Sequence, residues 1–196
     1  MIAVDAFHVK AKSMNGHHLV LGELIDIITG ETIADTHDER YRQKLGRLLV
    51  EQKGYDRSQI RARFPLMCRA GENRAIVPID FVLSSAQAVG MIVKYGPGSL
   101  TTRHRSALAA SRLVSGHQVP IVVVTNGEDA EILDGASGEI IGSGLEAIPT
   151  GVELAEIISG LRFEEISSLR VEMESRILYC YEVDGSCPCD DTVCRL

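Results

Sequence analysis

Asp80 and Lys94, each set in an otherwise apolar run, are the residues in this chain best placed to do chemistry. They lie in the stretch IVPIDFVLSSAQAVGMIVK, residues 76–94. It reads as two β-strands, Ala75–Leu83 and Ala88–Lys94, joined by a Ser84-Ser85-Ala86-Gln87 turn. Antiparallel pairing brings Asp80 opposite the Ile92–Lys94 end, and the two-residue period of a strand puts Ile92 and Lys94 on one face. An acid and an amine withdrawn from water are costly unless they neutralise each other or are put to use. The pair is therefore either a structural ion pair or part of a working site.

Two other constellations carry possible chemistry. Arg103-His104-Arg105 opens a helix after Thr101-Thr102, where free amides and two guanidiniums suit a phosphate. Arg61 and Arg63 on a strand, with Arg40, Lys44 and Arg47 along a helix, could extend that into a surface tracking a DNA backbone. Taken singly, each is an ordinary solvated side chain. Aromatic residues are sparse among them, so a stacking platform for single strands is not indicated.

Cysteines form the second constellation. Cys180, Cys187, Cys189 and Cys194 crowd the end of the chain, while Cys68 stands apart. Four thiolates suit a structural zinc. The Cys187-Pro188-Cys189 step is tighter than the usual C-x2-C, Cys180 falls on a helix, and redox pairing is equally open. The six histidines show no ligand spacing. There is no glycine-rich phosphate loop and no Ser/His/Asp pattern, so nucleotide hydrolysis and acyl transfer are not indicated.

The elements that must position these residues are legible in order. Leu24–Ile28 and Thr32–Ala34 flank Thr29-Gly30-Glu31 as a small hairpin. Thr36-His37-Asp38-Glu39 is a capping box that starts a helix running to about Lys53, where Gly54 ends it. Tyr41, Leu45, Leu48 and Leu49 form its apolar stripe, and Arg40, Lys44, Arg47 and Glu51 line another face. Ile60–Met67 is a strand with Arg61 and Arg63 on one side and Ala62 and Phe64 on the other. The central hairpin follows, then a helix over about Arg103–Val114. Val119–Thr125 is a strand buried on both faces, stopped at Asn126-Gly127. A polar hairpin of Glu131–Leu133 and Glu139–Ile141 decorates an edge. A short helix, Gly151–Ser159, precedes a longer one from Phe163 to about Tyr181, acidic on its outer faces. The fold class is α+β, with an αβββαβ core on a mixed sheet, an extra N-terminal hairpin and C-terminal helices. The expected divisions are an N-terminal extension over 1–35, a core over 36–145, packed helices over 146–181 and a cysteine-containing tail over 182–196.

Length and composition fit one soluble domain with a substantial core. No run of the chain has the apolar length of a membrane span, and a signal peptide is not evident, so a cytoplasmic protein is expected. The net charge of −7 conceals segregation. Between Arg40 and Arg112 there are 14 Lys/Arg against 4 Asp/Glu, leaving 6 and 23 for the rest of the chain. A basic middle between acidic ends suits an anionic partner; equally, the acidic flanks fold back and neutralise it.

The order of these elements, with an Asp in the second core strand and a Lys ending the third, resembles the PD-(D/E)xK nuclease superfamily. The closest resemblance is to the N-terminal domain of type I restriction enzyme R subunits. It is carried by ERYRQKLGRLLVEQKGY (39–55), IDFVL (79–83), IVK (92–94) and VVVTNG (122–127), and covers about Thr36 to Ile141. The resemblance implies a Mg-dependent endodeoxyribonuclease site. Asp80 would be the metal-binding aspartate, Glu51 or Glu39 the helix carboxylate, and Lys94 the lysine that positions the nucleophile and stabilises developing charge. It also implies DNA as a partner, with a protein partner or a homo-oligomer as further expectations. The sequence departs from the pattern at Ile92, which stands where the family's second strand acid belongs. The helix that follows also lacks the Gln that many relatives carry there. A cleavage-impaired DNA-interacting nuclease fold is the leading expectation. The alternative is a non-catalytic structural or partner-binding module, with a cysteine-bound zinc in its tail.

Overall fold

The computed structural model describes residues 19–86, 88–184 and 193–195. Its central feature is a mixed sheet in the order β3-β4-β5-β6-β7-β8. These strands are β3 (Ile60–Ala70), β4 (Asn73–Ser85), β5 (Ala88–Tyr95), β6 (Ile121–Thr125), β7 (Ala130–Asp134) and β8 (Ile140–Ser143). β3 to β5 form an antiparallel meander, and β6 lies parallel to β5. The connection between them is α2 (His104–Ser111). β7 and β8 return antiparallel, and a short strand, β9 (Cys194–Arg195), pairs with Ala75 and Ile76 of β4. With α1 (His37–Arg47) ahead of the meander, the expected αβββαβ order is present. A separate hairpin, β1 (Gly22–Ile25) with β2 (Thr32–Asp35), precedes it.

The sheet is buried on both faces, which is what the unbroken IVVVT run of β6 demands. Ile121 and Val123 pack toward α1 and α3 (Gly151–Ser159). Val122 and Val124 pack toward α2 and α4 (Ser168–Tyr179). Each such valine is worth about 1.5–3 kcal/mol when fully withdrawn from water.

Several expected boundaries moved for local reasons. β1 stops at Ile25 because the Asp26 carboxylate accepts the amides of Ile28 and Thr29 and turns the chain. α1 starts at the expected Thr36 cap and ends in a π-turn, Leu48–Gln52, before Gly54 at φ 71°. Only half of the capping box forms: the Thr36 hydroxyl accepts the Glu39 amide, but the Glu39 carboxylate is engaged by Gln43 and two arginines. The second helix opens with a 3-10 turn, Thr101–Arg103, and closes at Ser111 rather than Val114. The long C-terminal helix begins at Ser168, capped by the Ser167 hydroxyl. Phe163, expected inside it, instead lies against His117, with ring centres 4.1 Å apart. That helix also turns an acid inward, since Glu174 is wholly buried.

One irregularity shapes the site. Arg63 has φ 49°, a left-handed conformation costly for a residue with a long side chain. Paired residues on either side of it pack on opposite faces of the sheet. Ala62 and Phe81 face α1 and α3, whereas Phe64 and Ile79 face α2 and α4. The simple alternation expected for Ile60–Met67 therefore fails at Arg63.

Candidate functional site

The register Phe81↔Val93 brings Asp80 level with Lys94, as the hairpin pattern predicts. Their charged ends nevertheless part company. Asp80 turns to α1: its Oδ1 accepts a 2.6 Å bond from Arg42 Nε, and its Oδ2 accepts the Tyr95 amide at 2.8 Å. Lys94 turns to the other face, where its Nζ lies 3.1 Å from Glu182 in the π-turn Cys180–Asp184 that extends α4. Both residues are buried, and each has its own counter-ion.

Around Asp80 the carboxylates and guanidiniums interlock. Arg42 Nη1 reaches Glu39 at 3.5 Å, and Arg63 Nη1 bridges Glu39 at 3.2 Å and Asp26 at 2.7 Å. Gln43 donates to both of those acids at 2.9 Å. The Arg42 guanidinium sits 5.4 Å above the Tyr95 ring, which stacks on Tyr41, while the Tyr95 hydroxyl donates to Asp38. Burial opposes the charge on Arg42, but Asp80, Glu39 and Asp38 outweigh that penalty and hold its pKa above the usual value. Glu51 is exposed on the π-turn after α1 and takes no part in this network. Glu39 is the helix carboxylate that does.

Burial alone would raise Glu182. The Lys94 charge, bonds from Ser106 and Lys94, and the nearby Arg103 keep it below the ordinary carboxylate range. Glu174 is likewise held low, against burial, by Arg105, Arg112 and Arg170 at 2.7–2.9 Å. A carboxylate depressed on folding stabilises the native state fully above its unfolded pKa, and that stability is lost as pH falls through the folded value. Stability should therefore hold down to about pH 4.5, the ordinary Glu value, and then decline steeply. Urea midpoints between pH 7 and pH 3 check this, and a flat profile would contradict it.

The basic residues proposed from sequence as a DNA surface are largely spoken for. Arg40 makes a bidentate pair with Asp35, with both bonds at 2.7 Å. Lys44 donates to the Gly127 carbonyl, Arg103 to that of Pro97, and Arg105 is bound by Glu174. Arg63 belongs to the network just described. The guanidiniums of Arg103 and Arg105 are thus turned to internal acceptors and not to the N-terminus of α2. Arg61 lies over Phe64, and Arg47, also exposed, borders a groove with Leu24, Ile25 and Gln43. Of the two readings of the charge pattern, the acidic flanks do fold back: Asp26 and Asp35 from one side, Glu174 and Glu182 from the other.

Arg42 and Glu182 were not legible as site residues, because their pairings with Asp80 and Lys94 span 38 and 88 residues and leave no spacing signal. Only Glu39 and Arg42, one helical turn apart, carried a local hint.

Among the described residues, no three His, Cys, Asp or Glu side chains converge as a metal ion would require. At the Asp80 position the donor set does not fit a divalent ion as it stands. Ile92 supplies no oxygen, both Asp80 oxygens are engaged, and a guanidinium links Asp80 to Glu39. Magnesium takes octahedral oxygen donors, which this arrangement lacks. Cys68 is buried, with its thiol pushed up to about 11 by burial first and Glu182 second. Cys180 and Cys194 are exposed and free; Cys187 and Cys189, half of the proposed zinc site, lie outside the described residues.

The chain matches the family described as type I restriction enzyme R protein N terminus over residues 37–149. No curated protein and no solved structure gives a significant match. Among the described residues, no helix is long and apolar enough to cross a membrane.

Proposed function

The chain belongs to the type I restriction enzyme R protein N-terminus family, and from that premise we propose that it engages duplex DNA as a nuclease-type domain with an impaired cleavage centre. The carrying observation is the separate pairing of Asp80 with Arg42 and Lys94 with Glu182. A lysine that stabilises negative charge at a phosphate must present its ammonium to that phosphate. Lys94 is 5% exposed and bound to a carboxylate. Ile92 removes the strand acid that would share a metal with Asp80. The fold supplies the frame, and the internal ion pairs occupy the groups the reaction needs.

The test has two parts. Supercoiled plasmid incubated with Mg²⁺ or Mn²⁺ should show no nicking that disappears in Asp80→Ala; Asp80-dependent nicking would refute the impaired centre. Duplex binding, measured as salt is varied, should fall with a negative slope, reduced by about one contact for each of Arg47→Ala and Arg61→Ala. These two arginines are exposed and outside the ion pairs.

A second reading, a partner-binding module, is favoured by the internal neutralisation of Arg40, Arg63, Lys94 and Arg105. Absence of duplex binding at low salt would select it.

A further inference from the structure

We infer that Arg42 is a built-in substitute for the divalent cation of a nuclease centre, its guanidinium holding together carboxylates that would otherwise take a metal. The inference rests on reading Asp80 as the metal-position aspartate.

The first support is position. Arg42 lies one helical turn after Glu39 on α1, so both point from the same face of the helix. Across from them, Asp80 stands at the point where β3 and β4 exchange faces, and that exchange is what turns its carboxylate toward α1. The guanidinium lies 2.6 Å from Asp80 and 3.5 Å from Glu39, and Asp38 adds a third negative charge nearby.

The second support is charge. Ile92, packed in the α2 and α4 layer, brings no carboxylate to this side of the sheet, and two guanidiniums, Arg42 and Arg63, are set against Asp80, Glu39 and Asp26. An arginine fits such a place better than a lysine, because its planar fork can reach two carboxylates at once. The aromatic face of Tyr95, 5.4 Å away, supplies a further surface for the cation.

The third support is the cost of the arrangement. Glu39 has given up its reciprocal capping bond to the Thr36 amide in order to meet Arg42, Arg63 and Gln43. The carboxylate is committed instead to Gln43 at 2.9 Å, Arg63 at 3.2 Å and Arg42 at 3.5 Å, so the two guanidiniums and the amide together displace the cap.

The experiment is a Mn²⁺ titration of the full chain, followed by paramagnetic broadening of NMR signals near Asp80 and Tyr95, without DNA. The wild type should show no selective broadening at millimolar Mn²⁺. Arg42→Met keeps much of the side-chain bulk, removes the charge and frees the carboxylates. It should gain selective broadening at a concentration at least tenfold lower, and lose it again when Asp80→Asn is added. Arg42→Lys retains a cation and should behave as the wild type. Circular dichroism establishes that each variant is folded. If Arg42→Met fails to fold, Arg42→Gln takes its place. Asp80-dependent Mn²⁺ binding by the wild type would overturn the inference, as would a folded neutral variant that binds Mn²⁺ no better. Because the readout uses no DNA, failure of the duplex-binding test leaves this result independent.

Discussion

Glu174→Ala is expected to destabilise the protein by about 3–5 kcal/mol, the usual cost of removing one partner from a buried ion cluster. The Glu174 side chain is about 1% exposed and accepts bonds from Arg105, Arg112 and Arg170 at 2.7–2.9 Å. Arg112 is the reason for the size of the effect. It is nearly buried, and its remaining contacts are neutral: Gln118 and the carbonyls of Gly135 and Ala136. Burial, reinforced by repulsion from Arg170 and Arg105, already pushes its pKa down despite Glu174. Without that carboxylate, three like charges face one another at the junction of α2 and α4. In urea, the midpoint should fall with little change in slope. Glu174→Gln, which keeps an acceptor but loses the charge, should cost less. A loss below about 1 kcal/mol for the alanine variant would mean the arginines simply swing out to water, as surface pairs do.

The second large effect lies at Lys94. Glu182→Ala strands a buried ammonium and should cost a similar 3–5 kcal/mol, whereas replacing both residues by Lys94→Met with Glu182→Leu should be near neutral or stabilising. Lys94 is 5% exposed, and the residue after Glu182, Val183, is fully buried in the core. An apolar pair of comparable volume therefore has a packed environment ready to receive it. With Lys94→Met and Glu182→Leu also made singly, the double-mutant cycle isolates the coupling between the two. If the double variant were as unstable as Glu182→Ala, the cost would come from lost packing and not from an unpaired charge.

The frame of the protein was readable because it depends on local signals. The Thr36 cap, the Gly54 stop, the apolar run of β6 and the Asn126-Gly127 turn each act over a few residues, and each lies where expected. The 76–94 hairpin brings Asp80 level with Lys94 as expected, with a one-residue register shift between Leu83 and Ser84 ahead of the turn. What escaped was the destination of the charged side chains. Asp80 and Lys94 are level on adjacent strands, yet face different layers, because Arg63 adopts a left-handed conformation that no composition rule announces. Their true partners, Arg42 and Glu182, are 38 and 88 residues away along the chain. Of the acids expected on the outer faces of the C-terminal helix, Glu164, Glu165 and Glu172 are exposed as expected, whereas Glu174 is drawn inward by three arginines.

The distribution of those partners has a consequence for synthesis on the ribosome. Arg40 and Arg63 meet acids that have already been made, at positions 35, 26 and 39. Lys94, Arg105 and Arg112 must wait for Glu174 and Glu182, and β4 waits for β9. At about 5–20 residues per second, the 88 residues between Lys94 and Glu182 take roughly 4–18 s to translate. For that interval Lys94 on the sheet and Arg105 and Arg112 at α2 lack those counter-ions, beside a hydrophobic surface that α4 has yet to cover. The side of the sheet bearing α1 can close early; the other side is completed last, and that is where a chaperone would find its binding surface.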